Sequence, residues 1–185
     1  MKYLKTLLGV LFACSLFTLT ALGQTTNAPS TDGVLASPAS GLGDWTLSLS
    51  GNGSVPTKGD APDVFGGQIA IGHLGQLVLP IEVGVRQSAA YSSGDAGTLL
   101  STKPFIDWTL LKFGSLEFDL GGNFGVTYGN TPLTWTAAPE GVVRLYLKRD
   151  VDLFGRLEYP FALNSNNAPV AQDALVYTIG IRFNF

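Results

Sequence analysis

Cysteine and histidine are almost missing from this chain of 185 residues, which has one of each. The single cysteine, Cys14, lies in an apolar N-terminal run, so a chain that loses this run has no disulfide and no thiol chemistry. The single histidine, His73, has no second histidine or cysteine with which to form a zinc-type cluster. We therefore expect neither a metal site nor a cofactor.

Charge is also scarce, since only 14% of the residues are Asp, Glu, Lys or Arg. There are 11 basic and 14 acidic residues. Removal of the N-terminal run would take Lys2 and Lys5 with it, which leaves nine basic residues against 14 acidic ones and a net charge of −5. This acidic balance argues against a nucleic-acid partner.

Long apolar runs are missing after residue 23, although 45% of the chain is hydrophobic and 23 residues are glycine. A transmembrane helix needs ~20 consecutive apolar residues, so none is predicted. High apolar content without a long apolar run is typical of transmembrane β-strands.

The start of the chain has the layout of a secretory signal peptide. Lys2 and Lys5 precede an apolar stretch from Thr6 to Leu22, and small residues follow it. We predict a signal peptide over residues 1–23, removed by cleavage near Gly23.

Two alternatives for this segment are a single transmembrane helix, for which the run is short, and lipidation at Cys14, which the bulky Phe12 fits poorly. The next residues, 24–44, are rich in Thr, Ser, Ala, Pro and Gly and are predicted to form a flexible lead segment. About 160 residues remain after the signal peptide, enough for one domain.

From Trp45 onward, apolar and polar residues alternate in one segment after another. The clearest segment has Leu116 and Phe118 on one face and Glu117 and Asp119 on the other. A period of two is that of a β-strand with one apolar and one polar face. We predict eight strands, which begin near Trp45, Phe65, Leu79, Lys103, Leu116, Trp135, Leu153 and Leu175.

The connections between these strands alternate in length. Long connections rich in Gly, Pro, Asn and Ser follow the first, third, fifth and seventh strands, and tight turns near Gly75, Gly114 and Lys148 follow the others. This alternation predicts an all-β fold, an antiparallel up-and-down transmembrane barrel of eight strands over residues 45–185.

Three prolines, Pro104, Pro139 and Pro160, fall inside the predicted strands. Proline cannot donate a hydrogen bond to the sheet, and a closed barrel has no free edge to accommodate it. We expect bulges at these positions, or strands that end earlier.

The last strand alternates without interruption to the end of the chain. Its apolar face is Leu175, Tyr177, Ile179, Ile181, Phe183 and Phe185. This ending resembles the C-terminal assembly signal of bacterial outer-membrane β-barrels, in which a terminal Phe follows apolar residues at alternate positions. The match covers this strand alone, and the predicted eight-stranded barrel looks like the small outer-membrane barrels of the OmpA and OmpX type.

The resemblance implies a place in the outer membrane of a Gram-negative cell, reached by export through the inner membrane. It implies contact with outer-membrane lipid, with the secretion machinery and with the barrel-insertion machinery. A monomer is favoured, and the oligomeric state stays open.

The polar face of the strands holds balanced charge, which predicts a lumen filled by ion pairs, since buried charges are tolerated when paired. The predicted lumenal charges are Glu82, Arg86, Lys103, Asp107, Glu117, Asp119, Glu140, Arg144, Lys148, Arg156, Glu158 and Arg182. The apolar face places aromatic residues toward strand ends, as in two interfacial girdles. The predicted girdle residues are Trp45, Phe65, Tyr91, Trp108, Tyr128, Trp135 and Tyr159.

His73 is the one candidate for a general base in a membrane-embedded lipid hydrolase or acyltransferase, which would also need a serine or a carboxylate within reach. It lies beside a tight turn, which favours an interfacial histidine and a protein that is not an enzyme. Three functions stay open: a structural or interaction barrel with an occluded lumen, a narrow channel for ions or small solutes, and a secreted soluble carrier of the lipocalin type.

Overall fold

Nine antiparallel β-strands make up the part of the chain that the structure, a computed structural model, describes. The described residues are 44–57, 64–92, 97–129, 133–164 and 174–185, so the predicted signal peptide and nearly all of the lead segment lie outside them. None of the described residues belongs to a helix long and apolar enough to cross a bilayer. The strands are β1 (Trp45–Pro56), β2 (Val64–Gln76), β3 (Pro80–Ser92), β4 (Thr98–Phe113), β5 (Leu116–Gly129), β6 (Thr134–Lys148), β7 (Val151–Glu158), β8 (Phe161–Ala162) and β9 (Ala174–Asn184).

Strands β7 and β8 are two pieces of one barrel strand. Both pair with β6 in the same register, since Glu140 lies opposite Glu158 and Thr136 lies opposite Ala162. Pro160 lies in the gap between the pieces and has no N–H to give to the sheet. The molecule is therefore an eight-stranded barrel, which confirms the predicted fold class.

The barrel closes because β1 pairs with β2 on one side and with β9 on the other. Beyond the end of β9, the backbone N–H groups of Trp45 and Phe185 each donate to the other's carbonyl oxygen at 2.9 Å. Closure leaves no strand with a free edge.

The strands are tilted with respect to the barrel axis. Asp44 accepts a backbone hydrogen bond from Leu74, and the row of paired residues that starts there passes around the barrel through Glu82 and Glu140 and returns to β1 at Ser54. The row thus climbs ten residues in one circuit. With a rise of ~3.3 Å per residue and strands ~4.8 Å apart, this displacement corresponds to a tilt of about 40°, typical of closed barrels.

The three prolines inside the strands do not all cause the bulges or early strand ends that the sequence predicts. Pro160 interrupts its strand, but β4 and β6 run through Pro104 and Pro139 without a shift of register. The register shifts lie instead beside Leu110 in β4 and Leu147 in β6, each next to a tight turn. A bulge there lets the strand twist into the turn.

Strand β4 is also longer than predicted, since it begins at Thr98 and not near Lys103. Residues 98–101 read Thr-Leu-Leu-Ser, which has no clear alternation, and they follow a Gly-rich connection. Pairing with β3 and β5 holds them in the sheet all the same.

Two glycines, Gly121 of β5 and Gly141 of β6, test how closely neighbouring strands pack. A Cβ at Gly121 would overlap the backbone of Ile106 and Asp107 on β4, whereas a Cβ at Gly141 would meet no atom within 4 Å. We expect Gly121→Ala to destabilise the barrel by about 1–3 kcal/mol and Gly141→Ala to be neutral or slightly stabilising. Urea unfolding in lipid vesicles measures both, and equal effects would contradict the β4–β5 packing described.

Candidate functional site

The interior of the barrel carries nearly all of the charge of its strands. Ten of the predicted lumenal charges are no more than 6% exposed, and Lys103 retains 15% exposure of its side chain. Alternation along each strand and closure of the sheet together turn these residues inward. The ten are Glu82, Arg86, Asp107, Glu117, Asp119, Glu140, Arg144, Arg156, Glu158 and Arg182.

Arg86 of β3 lies at mid-height in the lumen and joins three strands. Its two terminal nitrogens donate to Glu140 Oε2 at 2.6 Å and to Asp107 Oδ2 at 3.1 Å. The guanidinium also lies 3.8 Å from the centre of the Phe105 ring, close enough for a cation–π contact. Arg86 is thus held by two carboxylates and an aromatic face at once.

Toward the short turns, Glu82 is shared by two arginines. Arg144 Nη2 and Arg182 Nη1 both lie 2.7 Å from Glu82 Oε2, and the hydroxyl of Thr46 donates to Glu82 Oε1 at 2.6 Å. Arg182 also donates from Nε to Asp152 Oδ2 at 2.8 Å. The carboxylate of Glu82 therefore links β1, β3, β6 and β9 across the lumen.

The ion pairs of Arg144 extend to β5. Arg144 Nη1 donates to Glu117 Oε1 at 3.0 Å and is also paired with Asp119. The hydroxyl of Tyr146 donates to the other oxygen of Glu117 at 3.0 Å, and Lys112 Nζ lies 3.5 Å from that oxygen. Arg144 thus pairs with Glu82, Glu117 and Asp119 at once.

Toward the long connections, the contacts are looser. Lys103 Nζ lies 3.5 Å from Glu158 Oε2, and Asn123 donates to Glu140 at 2.9 Å and to Glu158 at 3.1 Å. Arg156 donates to Gln68 Oε1 at 3.0 Å, and its ion-pair contacts to Glu140 and Glu158 are 3.7 and 3.8 Å long.

Two lumenal charges escaped the sequence pattern, and one predicted charge lies elsewhere. The bulge beside Leu110 turns Lys112 inward, and Asp152 of β7 is buried beside Arg182. Lys148 was predicted in the lumen but is exposed, because the register shift beside Leu147 ends the alternation before it. Counting back from Arg156 in steps of two places Asp152 in the lumen. The same count along β4 does not place Lys112 there, because the bulge changes the phase.

The outer surface of the barrel is apolar around its circumference. Large side chains such as Leu120, Ile179 and Leu157 are 52–69% exposed there. The five residues of the predicted C-terminal signal, Tyr177, Ile179, Ile181, Phe183 and Phe185, lie on this surface.

Most of the predicted girdle residues lie near the two ends of the outer surface. Phe65 contacts Tyr91, and Trp135 stacks on Phe124, at the end with the long connections. At the other end Trp45 contacts His73 edge to face, with ring centres 5.1 Å apart. Of the remaining three, Tyr128 lies at the end with the long connections, Trp108 lies toward the short turns, and Tyr159 lies nearer mid-strand, opposite Pro139.

One polar cluster interrupts the apolar outer surface. Thr102 donates to Gln87 Oε1 at 2.6 Å, Gln87 Nε2 donates to the hydroxyl of Tyr128 at 3.0 Å, and that hydroxyl lies 3.2 Å from Thr102 Oγ1. The three side chains thereby satisfy one another in a closed ring. Mutual satisfaction lowers the cost of placing polar groups among apolar ones.

His73 shows no catalytic neighbours within the part of the chain that the structure describes. Its recorded contact is the Trp45 ring, and no serine or carboxylate hydrogen-bonds to it. No group of three metal-ligating side chains lies together among the described residues either.

Comparison with known proteins identifies the fold and leaves the activity open. No protein-family model matches the sequence, and no curated protein matches it. The structure is similar to neisserial surface protein A, with 14% identity, a TM-score of 0.54, and coverage of 77% of this chain and 96% of that one. OprG from Pseudomonas aeruginosa also matches, with 13% identity, a TM-score of 0.47, and coverage of 82% and 99%. A de novo designed transmembrane β-barrel matches with 12% identity, a TM-score of 0.48, and coverage of 78% and 98%.

The buried network predicts a large difference between inner and outer charges. Arg144→Gln would remove the arginine partner of Glu117 and Asp119 and one of the two arginines that hold Glu82, so we expect a loss of about 3–5 kcal/mol of unfolding free energy. Lys148→Gln removes the same charge from an exposed position and should change stability by less than about 0.5 kcal/mol. Denaturant titration of the folded protein in vesicles gives both values, and similar losses would contradict the network.

Proposed function

We propose that this eight-stranded barrel, whose fold is that of the small outer-membrane barrels, is an integral protein of the outer membrane with a structural or interaction role. The observation that carries the proposal is the distribution of polarity. Charged side chains lie inside the barrel, and large apolar side chains lie on its outer surface. Such a surface suits contact with lipid chains.

The polarity argues against the alternative of a soluble carrier. A soluble barrel of the lipocalin type buries its apolar face and exposes its polar face to water. Here Arg86 and Asp107 are each 1% exposed, whereas Leu120 on the outer surface is 55% exposed. In water this arrangement would leave a large apolar surface exposed, and such surfaces cause aggregation.

The spacing of the aromatic residues supports a membrane position. On β1, Trp45 marks the girdle near the short turns, and Gly53, which pairs with Phe65, marks the girdle near the long connections. These two residues are eight positions apart. At a tilt of about 40° this separates the two girdles by roughly 20–25 Å, which matches the ~25 Å apolar band of outer-membrane barrels. Export would use the predicted signal peptide, and assembly would use the secretion and insertion machinery, with outer-membrane lipid as the surrounding partner.

A role without transport is favoured by the arrangement of the lumen. Arg144 and Arg182 meet at Glu82, so side chains from β3, β6 and β9 join across the barrel. Separating them would leave buried charges unpaired, which is costly. The alternative, a narrow channel for ions or small solutes, requires a path past these pairs. The proposal includes no catalytic step, and the contact of His73 with the Trp45 ring suits an interfacial histidine.

Membrane insertion is tested by fractionation. We expect the protein to remain in membranes washed with carbonate, because its outer surface is apolar. We also expect an unheated sample to migrate differently from a boiled one on a denaturing gel, because a closed barrel resists detergent until it is heated. Recovery in the soluble periplasmic fraction would contradict the membrane assignment.

Conduction separates the two membrane functions. We expect purified protein in planar bilayers to show no resolvable single-channel steps at low potential, because the ion pairs join opposite walls of the lumen. A general porin reconstituted in the same bilayers serves as the control for fusion. Stable openings of uniform size would favour the channel alternative.

A further inference from the structure

Arg156 differs from the other lumenal arginines in its contacts. Arg86, Arg144 and Arg182 each have a carboxylate oxygen within 2.7 Å. For Arg156 the nearest carboxylate oxygen is at 3.7 Å, and its hydrogen bond goes to the neutral amide of Gln68. Its Nε atom is buried and has no hydrogen-bond partner in the part of the chain that the structure describes. The guanidinium carries five N–H donors, so it has capacity for a further acceptor.

Other polar atoms without hydrogen-bond partners among the described residues lie on the strands beside Arg156. Thr178 lies directly opposite Arg156 in the sheet, and Asn52 lies opposite Thr178 on the next strand. Among the described residues, Thr178 Oγ1 and Ser50 Oγ are buried without a hydrogen-bond partner, and Thr178 is 1% exposed. Buried polar atoms in native proteins are nearly always hydrogen-bonded, and both hydroxyls can donate, so they have capacity for a further acceptor.

The lumenal wall beside Arg156 is formed by small and polar side chains. Inward-facing residues of β1, β2 and β3 on the side of the long connections are small or polar and are only half-buried. We call this region the lumenal cup, with Arg156 and Lys103 at its floor. Its wall is formed by Ser50, Asn52, Ser54, Gln68 and Ser88.

Charge is distributed unevenly along the lumen. At the floor of the cup, Glu158 lies 3.5 Å from Lys103 and 3.8 Å from Arg156, and Arg156 also lies 3.7 Å from Glu140, which Arg86 holds at 2.6 Å. Toward the short turns, carboxylates outnumber the cations. The four there are Glu82, Glu117, Asp119 and Asp152, and the three cations are Lys112, Arg144 and Arg182. The side of the lumen with the cup, counted with Arg86, Asp107 and Glu140, has three cations and three carboxylates, so it is less negative than the side with the short turns.

We propose that the lumenal cup binds a small oxyanion, a carboxylate or phosphate group, through Arg156 and Lys103. The hydroxyls of Thr178 and Ser50 donate to the same group. Arginine suits this ligand class because its planar fork of donors matches the geometry of carboxylate and phosphate oxygens.

The test is an NMR titration of isotopically labelled protein, refolded in detergent micelles, with phosphate and separately with acetate. Chloride at the same sodium concentration is the reference. We expect amide signals of Asn52, Gln68 and Thr178 to shift and saturate by about 50 mM, an affinity suited to one ligand charge at a partly hydrated site. Shifts equal to those in chloride, or shifts confined to Arg144 and Arg182, would overturn the proposal.

Single-residue variants distinguish anion binding in the lumenal cup from a general effect of the protein's charge. Arg156→Gln should weaken binding at least about tenfold, since it removes the charge-assisted hydrogen bonds. Lys148→Gln, which removes an exposed charge outside the cup, should bind as the parent does. Thr178→Val keeps the shape of the side chain and should weaken binding several-fold even if Arg156→Gln does not refold. Unchanged affinity in Thr178→Val and in any folded Arg156→Gln would overturn the proposal. The readout needs neither a membrane location nor conduction, so it can fail independently of the proposed function.

Discussion

The structure depends on the pairing of β1 with β9, because this pairing converts a sheet into a barrel. In an open sheet both edges would present unpaired N–H and C=O groups, and both faces would meet the same solvent. Closure gives the two faces different surroundings. Once Thr46 lies opposite Asn184, alternation along every strand sends one set of residues inward and the other outward. The charged interior and the apolar exterior follow from that single topological step.

The interior shows how buried charge can be accommodated in so narrow a space. Desolvation of a charged group is costly, and the cost is offset when partners are close and well oriented. Glu82 meets this requirement through two arginines and a threonine, and Arg86 meets it through two carboxylates and an aromatic ring. These contacts join residues that are distant along the chain, so the network fixes the strands relative to one another as well as filling the space between them.

Much of this arrangement could be predicted from the sequence, because its period of two is regular. The inward position of residues such as Arg86 and Glu140 follows from alternation along the strands. The barrel follows from that alternation together with the alternating length of the connections, and the closing strand from the resemblance of the chain's ending to that of outer-membrane barrels. The bulges do not, since a single extra residue beside Leu110 or Leu147 reverses the phase and leaves no compositional trace. The choice of partners is also hidden. It depends on the climb of ten residues per circuit, which sets which side chains meet across the lumen, so the open coordination of Arg156 appears only in three dimensions.

The mutual hydrogen bonds of Trp45 and Phe185 have a consequence for how the barrel forms. They join residues from opposite ends of the described sequence, so the pairs between β1 and β9 have the largest sequence separation in the sheet. Bringing such distant segments together carries a high entropic cost before any contact compensates for it, and folding slows as the mean separation of contacts grows. The pairing of β1 with β9 is therefore expected to form last. Until it forms, both strands can pair with another chain. Pairing of β1 with β9 therefore protects the chain against aggregation, in addition to its contribution to equilibrium stability.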